Sequence, residues 1–308
     1  MPIQKWSVLD LAPIYEGVDP ACALKQAVLL AQTAEQLGYC RYWVAEHHDM
    51  PGLASSTPEV LLAHIGAQTH RIRIGSGAVL LPHYKPYKVA EAFHLLATLY
   101  PGRIDLGVGR APGGSAHATL ALNDRFLQDV GRMPELVQQL AALLRQEFTV
   151  EGESVVARPI PPLPPKLWLL GTNQKSAGYA AENGAGYVYG LFMSEAEGEE
   201  VVAAYRRDYK PSVHQPNPEV IVAVGVICAE TLEEATACVR LSQKAFRRPP
   251  IVGDPSHVRE KLEEIAWRYQ AEEIMVITDF PDYARRLRSY ELIANSVFDR
   301  GSSGCGKT

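Results

Sequence analysis

Short apolar runs alternate with longer amphipathic segments along most of the chain. Runs rich in β-branched and aromatic residues predict strands. Apolar positions three and four residues apart predict helices between them. The predicted strands span 6–9, 41–45, 72–81, 104–108, 166–170, 187–190, 220–229 and 273–278. The predicted helices span 21–37, 58–69, 86–99, 132–146, 175–183, 195–209, 232–246, 255–269 and 283–295.

This alternation favours parallel strands, because a helix between two strands returns the chain to the same edge of the sheet. About eight strand–helix units predict a closed (β/α)8 barrel (a TIM barrel), with an open doubly wound sheet as the alternative. We expect one domain over residues 1–298 and a disordered C-terminal tail over 299–308. Residues 301–308, GSSGCGKT, have the spacing of a phosphate-binding P-loop. That loop needs a strand before it, whereas a helix is predicted there, so we interpret the segment as tail.

Composition narrows the class of protein. The 308 residues are 47% hydrophobic with a net charge of −5, which gives no overall positive field to attract nucleic acid or an acidic membrane. Five scattered cysteines without a Cys-x-x-Cys pair argue against a disulfide framework or a zinc site. No apolar run reaches the roughly 18 residues of a membrane span, and the N-terminus lacks signal-peptide features. We expect a soluble cytoplasmic protein with reduced thiols.

Chemically distinctive residues follow the ends of the predicted strands, which is where parallel barrels build their active sites. Strand two runs into Glu46-His47-His48-Asp49. Histidine titrates near neutrality and binds metals readily, but the spacings His-x-His and His-Glu-x-x-His do not occur here. Adjacent residues on an extended strand point to opposite faces, so one histidine is expected to face the pocket. A catalytic or ligand-facing histidine is favoured, with a metal site and a purely structural role left open.

An arginine and a helix start suggest a phosphate site. Arg110 follows strand four among glycines, and its planar guanidinium suits phosphate oxygens. Strand five turns into a helix N-terminus, where free backbone N–H groups favour an anion. The candidate phosphate-binding residues there are Gly171, Thr172, Asn173 and Ser176. The alternatives are an ion pair for the arginine and ordinary helix capping by Thr172 or Asn173.

Small residues at the end of strand three suggest a place for a flat ring. Ser76, Gly77 and Ala78 carry little side-chain bulk, so a ring could lie against the backbone there; a β-bulge is the alternative. A phosphate site beside this shelf and a histidine predicts an aromatic, phosphorylated cofactor.

Three segments together resemble the bacterial luciferase-like flavin monooxygenases, most closely the alkanal monooxygenase α-chain subgroup. They are YWVAEHH at 42–48, GSGAVLLP at 75–82 and PGRIDLGVGRAPG at 101–113. The resemblance implies a (β/α)8 barrel that takes reduced FMN from a separate flavin reductase. It further implies reaction of that FMN with O2, through a C4a-peroxyflavin, to oxygenate a small organic substrate. Relatives often form homodimers through the early helices, so a homodimer is expected.

The same resemblance implies roles for individual residues. His47 matches the family's catalytic histidine and Glu46 its acidic neighbour. Gly77-Ala78 matches the shelf under the flavin ring, where relatives often hold a non-proline cis peptide bond. Arg110 matches the phosphate arginine, and Thr172, Asn173 and Ser176 fall in the phosphate-binding loop.

The sequence departs from the family pattern in three places. Gly109 stands where the luciferase α chain has a reactive cysteine, and 171–176 is less serine-rich than in close relatives. The segment between Phe246 and Pro255 is short, which would leave the site more open to water. Three other functions remain: F420-dependent hydride transfer on the same fold, non-catalytic flavin binding, and a metal-dependent hydrolase that uses Glu46, His47 and Asp49.

Overall fold

The computed structural model describes residues 5–241 and 246–298. Eight parallel strands close into a barrel, so the predicted fold is confirmed. The strands of the barrel, in order around it, are β1, β2, β3, β4, β7, β8, β9 and β11. The strands are β1 (Lys5–Asp10), β2 (Arg41–Val44), β3 (Arg73–Leu80), β4 (Ile104–Gly109), β5 (Thr149–Val150), β6 (Glu153–Ser154), β7 (Lys166–Gly171), β8 (Gly186–Gly190), β9 (Val220–Cys228), β10 (Ile251–Gly253) and β11 (Glu273–Thr278).

Helices surround the barrel, and several begin at a proline, which fits the first turn because its missing N–H has no partner there. Asp19 caps α1 by accepting a hydrogen bond from the backbone of Cys22, and Gly38 ends the helix with φ +90°. The helices are α1 (Pro20–Leu37), α2 (Pro58–Ala67), α3 (Pro86–Leu99), α4 (Ala116–Leu122), α5 (Phe126–Gly131), α6 (Met133–Leu144), α7 (Gln174–Glu182), α8 (Glu199–Asp208), α9 (Leu232–Leu241), α10 (Pro255–Tyr269) and α11 (Tyr283–Phe298). None of the described helices is long and apolar enough to cross a membrane.

The predicted elements agree with the structure apart from their ends and a few short additions. The helices α4 and α5 and the hairpin of β5 and β6 were not predicted, because segments this short carry no clear periodicity. The strand β10 pairs with β9 outside the barrel, in a segment for which neither a strand nor a helix was predicted. The helix predicted to reach residue 246 is described only to Leu241. The P-loop-like tail lies outside the described residues.

The barrel interior is filled by one apolar layer. Trp43 and Trp168 pack edge to face there, with ring centroids 5.7 Å apart. Glycines on neighbouring strands make room for them: a Cβ on Gly75 would lie 2.8 Å from Nε1 of Trp43. We call this set the interior cluster. Its buried members are Leu9, Trp43, Trp168, Val188, Phe192, Ile221, Ala223, Met275 and Ile277, and three partly buried residues pack against it, Leu11, Leu170 and Phe246.

Charged side chains occupy the amino end of the barrel. Asp105 is fully buried and binds the guanidinium groups of Arg41 (2.8 Å) and Arg73 (2.6 Å). Burial alone would raise the pKa of this carboxyl, but the two arginines outweigh burial and hold it well below its ordinary value. Arg41 also pairs with Glu273, at 2.8 Å. This network occupies the amino end, and the carboxyl ends of the strands form the mouth.

Candidate active site

Glu46 connects the ends of β2 and β3. Its buried carboxylate accepts three hydrogen bonds, from Nε2 of His48 (2.7 Å), the hydroxyl of Tyr84 (2.6 Å) and the backbone N–H of Leu80 (3.0 Å). Because Leu80 ends β3 and the other two partners follow the ends of β2 and β3, this carboxylate fixes the geometry of the mouth on that side. The sequence identified Glu46 and missed Tyr84, which lies 38 positions away.

Unlike His48, whose ring contacts Glu46, His47 is held through its backbone. Its backbone N–H donates to the carbonyl of Ser55 at 2.9 Å, and its ring is partly buried. Among the described residues, the buried Nδ1 of this ring has no hydrogen-bond partner. Burial, and then the nearby His48, lower the pKa of His47 below 6.5. At pH 7 this imidazole is therefore neutral and has a free nitrogen.

The second half of β3 is irregular, which was the alternative to a shelf for a ring. The pairing of β3 with β4 shifts register between Ser76 and Val79, and the Gly77–Ala78 peptide bond is cis, as the resemblance implies. The hydroxyl of Ser76 is buried and binds the backbone of Gly107, donating to its carbonyl at 2.8 Å. A Cβ on Gly77 would lie 2.7 Å from Cδ1 of Leu9. The glycine therefore lets the β3 backbone lie directly on the interior cluster.

Arg110 begins the loop after β4 and is only partly buried. Within residues 5–241 and 246–298 its side chain makes no hydrogen bond or ion pair, so the alternative of a structural ion pair is not realised there. Gly113, with φ +71°, accepts a hydrogen bond from the backbone of His48 at 2.8 Å. This contact brings the loop that carries Arg110 against the end of β2.

The start of α7 is capped by Asn173, one of the two residues for which capping was the alternative, and Ser176 completes a capping box with it. The side chain of Asn173 accepts a hydrogen bond from the backbone of Ser176 at 3.2 Å. The hydroxyl of Ser176 donates to the carbonyl of Asn173 at 2.8 Å and lies 3.1 Å from the hydroxyl of Tyr187. Gly171 lies directly against Ser176, where a Cβ would overlap it. Thr172 directly precedes the capping residue Asn173. The first backbone N–H groups of a helix have no acceptor within the helix, so those at the start of α7 are available to a ligand or a cap.

A second histidine at the mouth was not assigned a role from the sequence. His83 is buried, its Nε2 lies 2.9 Å from the carbonyl of Pro112, and its ring stacks on Phe126 with centroids 4.5 Å apart. The signal that could have found it is its position directly after β3. Asp49 accepts a hydrogen bond from Ser115 at 3.1 Å. Among the described residues, no three His, Cys, Asp or Glu side chains are grouped as a metal ion requires.

Two surface grooves are lined by none of the predicted site residues. One, of about 200 Å³, lies near the amino ends of β4 and β7 and includes Arg73 and Lys166. The other, of about 660 Å³, lies between α1 and α2. The strand-end residues therefore define the candidate site by their position in the barrel.

The model of the luciferase-like monooxygenase family matches residues 7–282 of the chain. The chain therefore belongs to the luciferase-like monooxygenases, a family of flavin-dependent oxidoreductases. It is 40% identical to the Bacillus subtilis protein YwcH, over 95% of this chain and 99% of that protein. It is 34% identical to the N-acetyl-S-alkylcysteine monooxygenase of Bacillus subtilis, over 94% of this chain and 97% of the relative. The crystal structure of apo-MsnO8 shares 36% identity and superposes with a TM-score of 0.86, covering 96% of this chain and 97% of the other.

More distant structures share the fold and carry different cofactors. The oxygenating constituent of 3,6-diketocamphane monooxygenase from Pseudomonas putida, in complex with FMN, is 17% identical with a TM-score of 0.71, covering 96% of this chain and 99% of the other. An F420-dependent secondary alcohol dehydrogenase is 15% identical with a TM-score of 0.68, with the same shares covered.

Proposed function

We propose that this protein is an FMN-dependent monooxygenase, which uses reduced FMN and O2 to insert one oxygen atom into a small organic substrate. The observation that carries the proposal is Arg110, a partly buried residue whose guanidinium has no partner among the described residues. Its loop is hydrogen-bonded to the backbone of His48, the neighbour of the catalytic candidate His47. An unpaired arginine beside a glycine-rich strand end fits an anionic group of a ligand.

The residues present fit FMN on three counts. Arg110 and the start of α7, with Thr172 and the first-turn amides, would hold the phosphate. Asn173 and Ser176 would keep the helix start in place through their capping bonds. The backbone at Ser76, Gly77 and Ala78 would support the ring, because the missing Cβ of Gly77 lets this backbone lie directly on the interior cluster and Ala78 adds only a methyl group.

Reduced FMN, when bound, supplies the electrons with which O2 is activated; the second oxygen atom leaves as water. The protein supplies position and proton control. His47 would accept or donate a proton at its unpaired Nδ1, because burial keeps its ring neutral at pH 7. Glu46 is a positioning residue in this scheme, since its carboxylate acts through His48 and Tyr84.

The relatives set the direction of the tests. The FMN complex of the camphane enzyme supports FMN, and the alcohol dehydrogenase keeps F420 as the second candidate. The N-acetyl-S-alkylcysteine monooxygenase offers a substrate class to try first, thioethers of cysteine. We propose further that reduced FMN comes from a separate reductase and that the protein is a cytoplasmic homodimer.

The test combines cofactor binding with isotope incorporation. The protein is titrated with FMN and with F420 by fluorescence, and then supplied with a flavin reductase, NADH and ¹⁸O2. N-acetyl-S-methylcysteine and N-acetyl-S-benzylcysteine serve as probes, and the product is examined by mass spectrometry. FMN binding with one ¹⁸O atom per product supports the proposal. Binding of F420 alone, or FMN binding with no oxygenated product from any organic probe, would contradict it.

A further inference from the structure

Three partly buried residues that pack against the interior cluster line the inside of the mouth. Leu11, Leu170 and Phe246 pack against the buried layer and are themselves only partly buried. These side chains contact the barrel interior and keep some exposed surface at the carboxyl ends of the strands. They would therefore contact a ligand that binds in the mouth. Leu170 also covers a glycine of β4: a Cβ on Gly107 would lie 2.9 Å from its Cδ1.

Phe246 occupies a space that β9 leaves open. A Cβ on Gly225 would lie 3.0 Å from Cδ1 of the Phe246 ring, closer than ordinary contact. The ring also meets Phe192 edge to face, with centroids 6.3 Å apart. The missing side chain at Gly225 therefore lets this phenylalanine lie against the strand.

The backbone that follows holds this phenylalanine in place. The N–H groups of Arg247 and Arg248 both donate to the carbonyl of Phe192, each at 3.1 Å. The guanidinium of Arg248 donates to the carbonyl of Ser194 at 3.1 Å and pairs with Glu197 at 3.1 Å. Phe246 and Phe192 thus belong to one anchored unit, which we call the aromatic wall.

The aromatic wall lies across the barrel from the Gly77–Ala78 shelf. In the closed order β1, β2, β3, β4, β7, β8, β9, β11, the strands β3 and β9 are separated by four steps in either direction. They are therefore diametrically opposed. A ring supported on β3 leaves the space in front of it bounded by the residues on β9 and β8.

We propose that Phe246 is the specificity-determining residue of this enzyme, and that the aromatic wall binds an apolar alkyl or aryl group of the organic substrate. The inference rests on the proposed function, because it assigns the shelf to the flavin. It goes further by giving the substrate a chemical class: a small molecule whose reacting atom carries an apolar group of several carbons. Burying one methylene against such a wall strengthens binding about fourfold.

The experiment measures binding of straight-chain alcohols, from butanol to decanol, to the FMN-loaded oxidised protein by isothermal titration calorimetry. In the wild-type protein the affinity is expected to rise about fourfold per methylene up to a length limit. Phe246→Ala enlarges the space, so short alcohols should lose about tenfold in affinity while the length limit moves to longer chains. Phe246→Leu should retain most of the affinity for short chains.

Two further variants keep the test independent of folding defects. Trp267→Ala removes an exposed aromatic side chain on α10 and should leave every affinity unchanged. Gly225→Ala places a Cβ against the ring of Phe246, forces it toward the shelf, and should shorten the length limit. The FMN dissociation constant is measured for each protein and should stay within about twofold of wild type.

Failure of the inference is distinguishable from failure of the proposed function. If the wild-type protein does not bind FMN, the proposed function falls. If it binds FMN, but Phe246→Ala and Gly225→Ala both show the wild-type length dependence, the assignment of Phe246 is overturned. A change of length limit in opposite directions in these two variants, with unchanged FMN binding, supports it.

Discussion

Arg110→Ala should weaken FMN binding and leave the stability of the protein nearly unchanged. The side chain makes no hydrogen bond or ion pair within the described part of the protein, so its removal should change the free energy of unfolding by no more than about 0.5 kcal/mol. Its proposed partner is the phosphate of FMN. A hydrogen bond to a charged group is worth about 1.5–3 kcal/mol, so the dissociation constant for FMN should rise about 10- to 150-fold.

Riboflavin lacks the phosphate and so isolates this contact. Wild-type protein should bind FMN more tightly than riboflavin, and Arg110→Ala should remove most of that preference by weakening FMN alone. Both dissociation constants are measured from quenching of flavin fluorescence, and stability from urea unfolding. Arg132→Ala is the matched control, because within the described part of the chain this arginine pairs only with Asp129 and Glu135, at the protein surface. An unchanged FMN-to-riboflavin ratio in Arg110→Ala would refute the assignment of Arg110 to the phosphate.

Three further predictions concern the acid–base group, the buried network and the loop glycine. His47→Ala should keep FMN binding and lower product formation about 10²–10⁴-fold. In the wild type, turnover should fall as the pH drops through the lowered pKa of His47. A pH profile of product formation should show that the variant has lost this dependence. Asp105→Asn leaves the buried Arg41 and the partly buried Arg73 without their shared carboxylate and should cost about 3–5 kcal/mol at pH 7 in urea unfolding. Because the pKa of Asp105 is lowered on folding, its contribution is complete above an unfolded pKa of about 4 and is lost as pH falls, so the wild type should lose more stability below pH 4 than the variant. Gly113→Ala forces φ +71° on an alanine and places a Cβ against Leu80, which should cost about 1–3 kcal/mol of stability and weaken FMN binding. Gly131 has open space around it, so Gly131→Ala should be neutral or stabilising. Equal effects of the two substitutions would contradict the reasoning.

The barrel could be predicted because each strand and each long helix carries its own hydrophobic period. The segment between β4 and α6 could not, since α4 and α5 are too short for a period to show. Strand ends also identified the candidate site, because parallel strands bring their carboxyl ends together whatever the loops do. Glu46 and Arg110 were selected as candidates in this way.

Contacts between residues far apart in the sequence could not be predicted. Nothing near Glu46 indicates that Tyr84 donates to it, and nothing near Phe246 indicates that the ring lies against Gly225. A capping residue at the start of α7 could be predicted from the sequence. The contact between the hydroxyls of Ser176 and Tyr187 could not, because it depends on β8 lying beside β7. Such contacts depend on the closed barrel, which local patterns do not encode.

The most direct test of the proposed monooxygenase is the reaction of the protein-bound reduced cofactor with oxygen. Protein carrying anaerobically reduced FMN is mixed with oxygenated buffer in a stopped-flow instrument, and full absorbance spectra are recorded over time. We predict a transient spectrum, distinct from those of reduced and oxidised FMN, that outlives the reoxidation of free reduced FMN under the same conditions. A single-step return to the spectrum of oxidised FMN, at the rate of the free cofactor, would contradict the proposal.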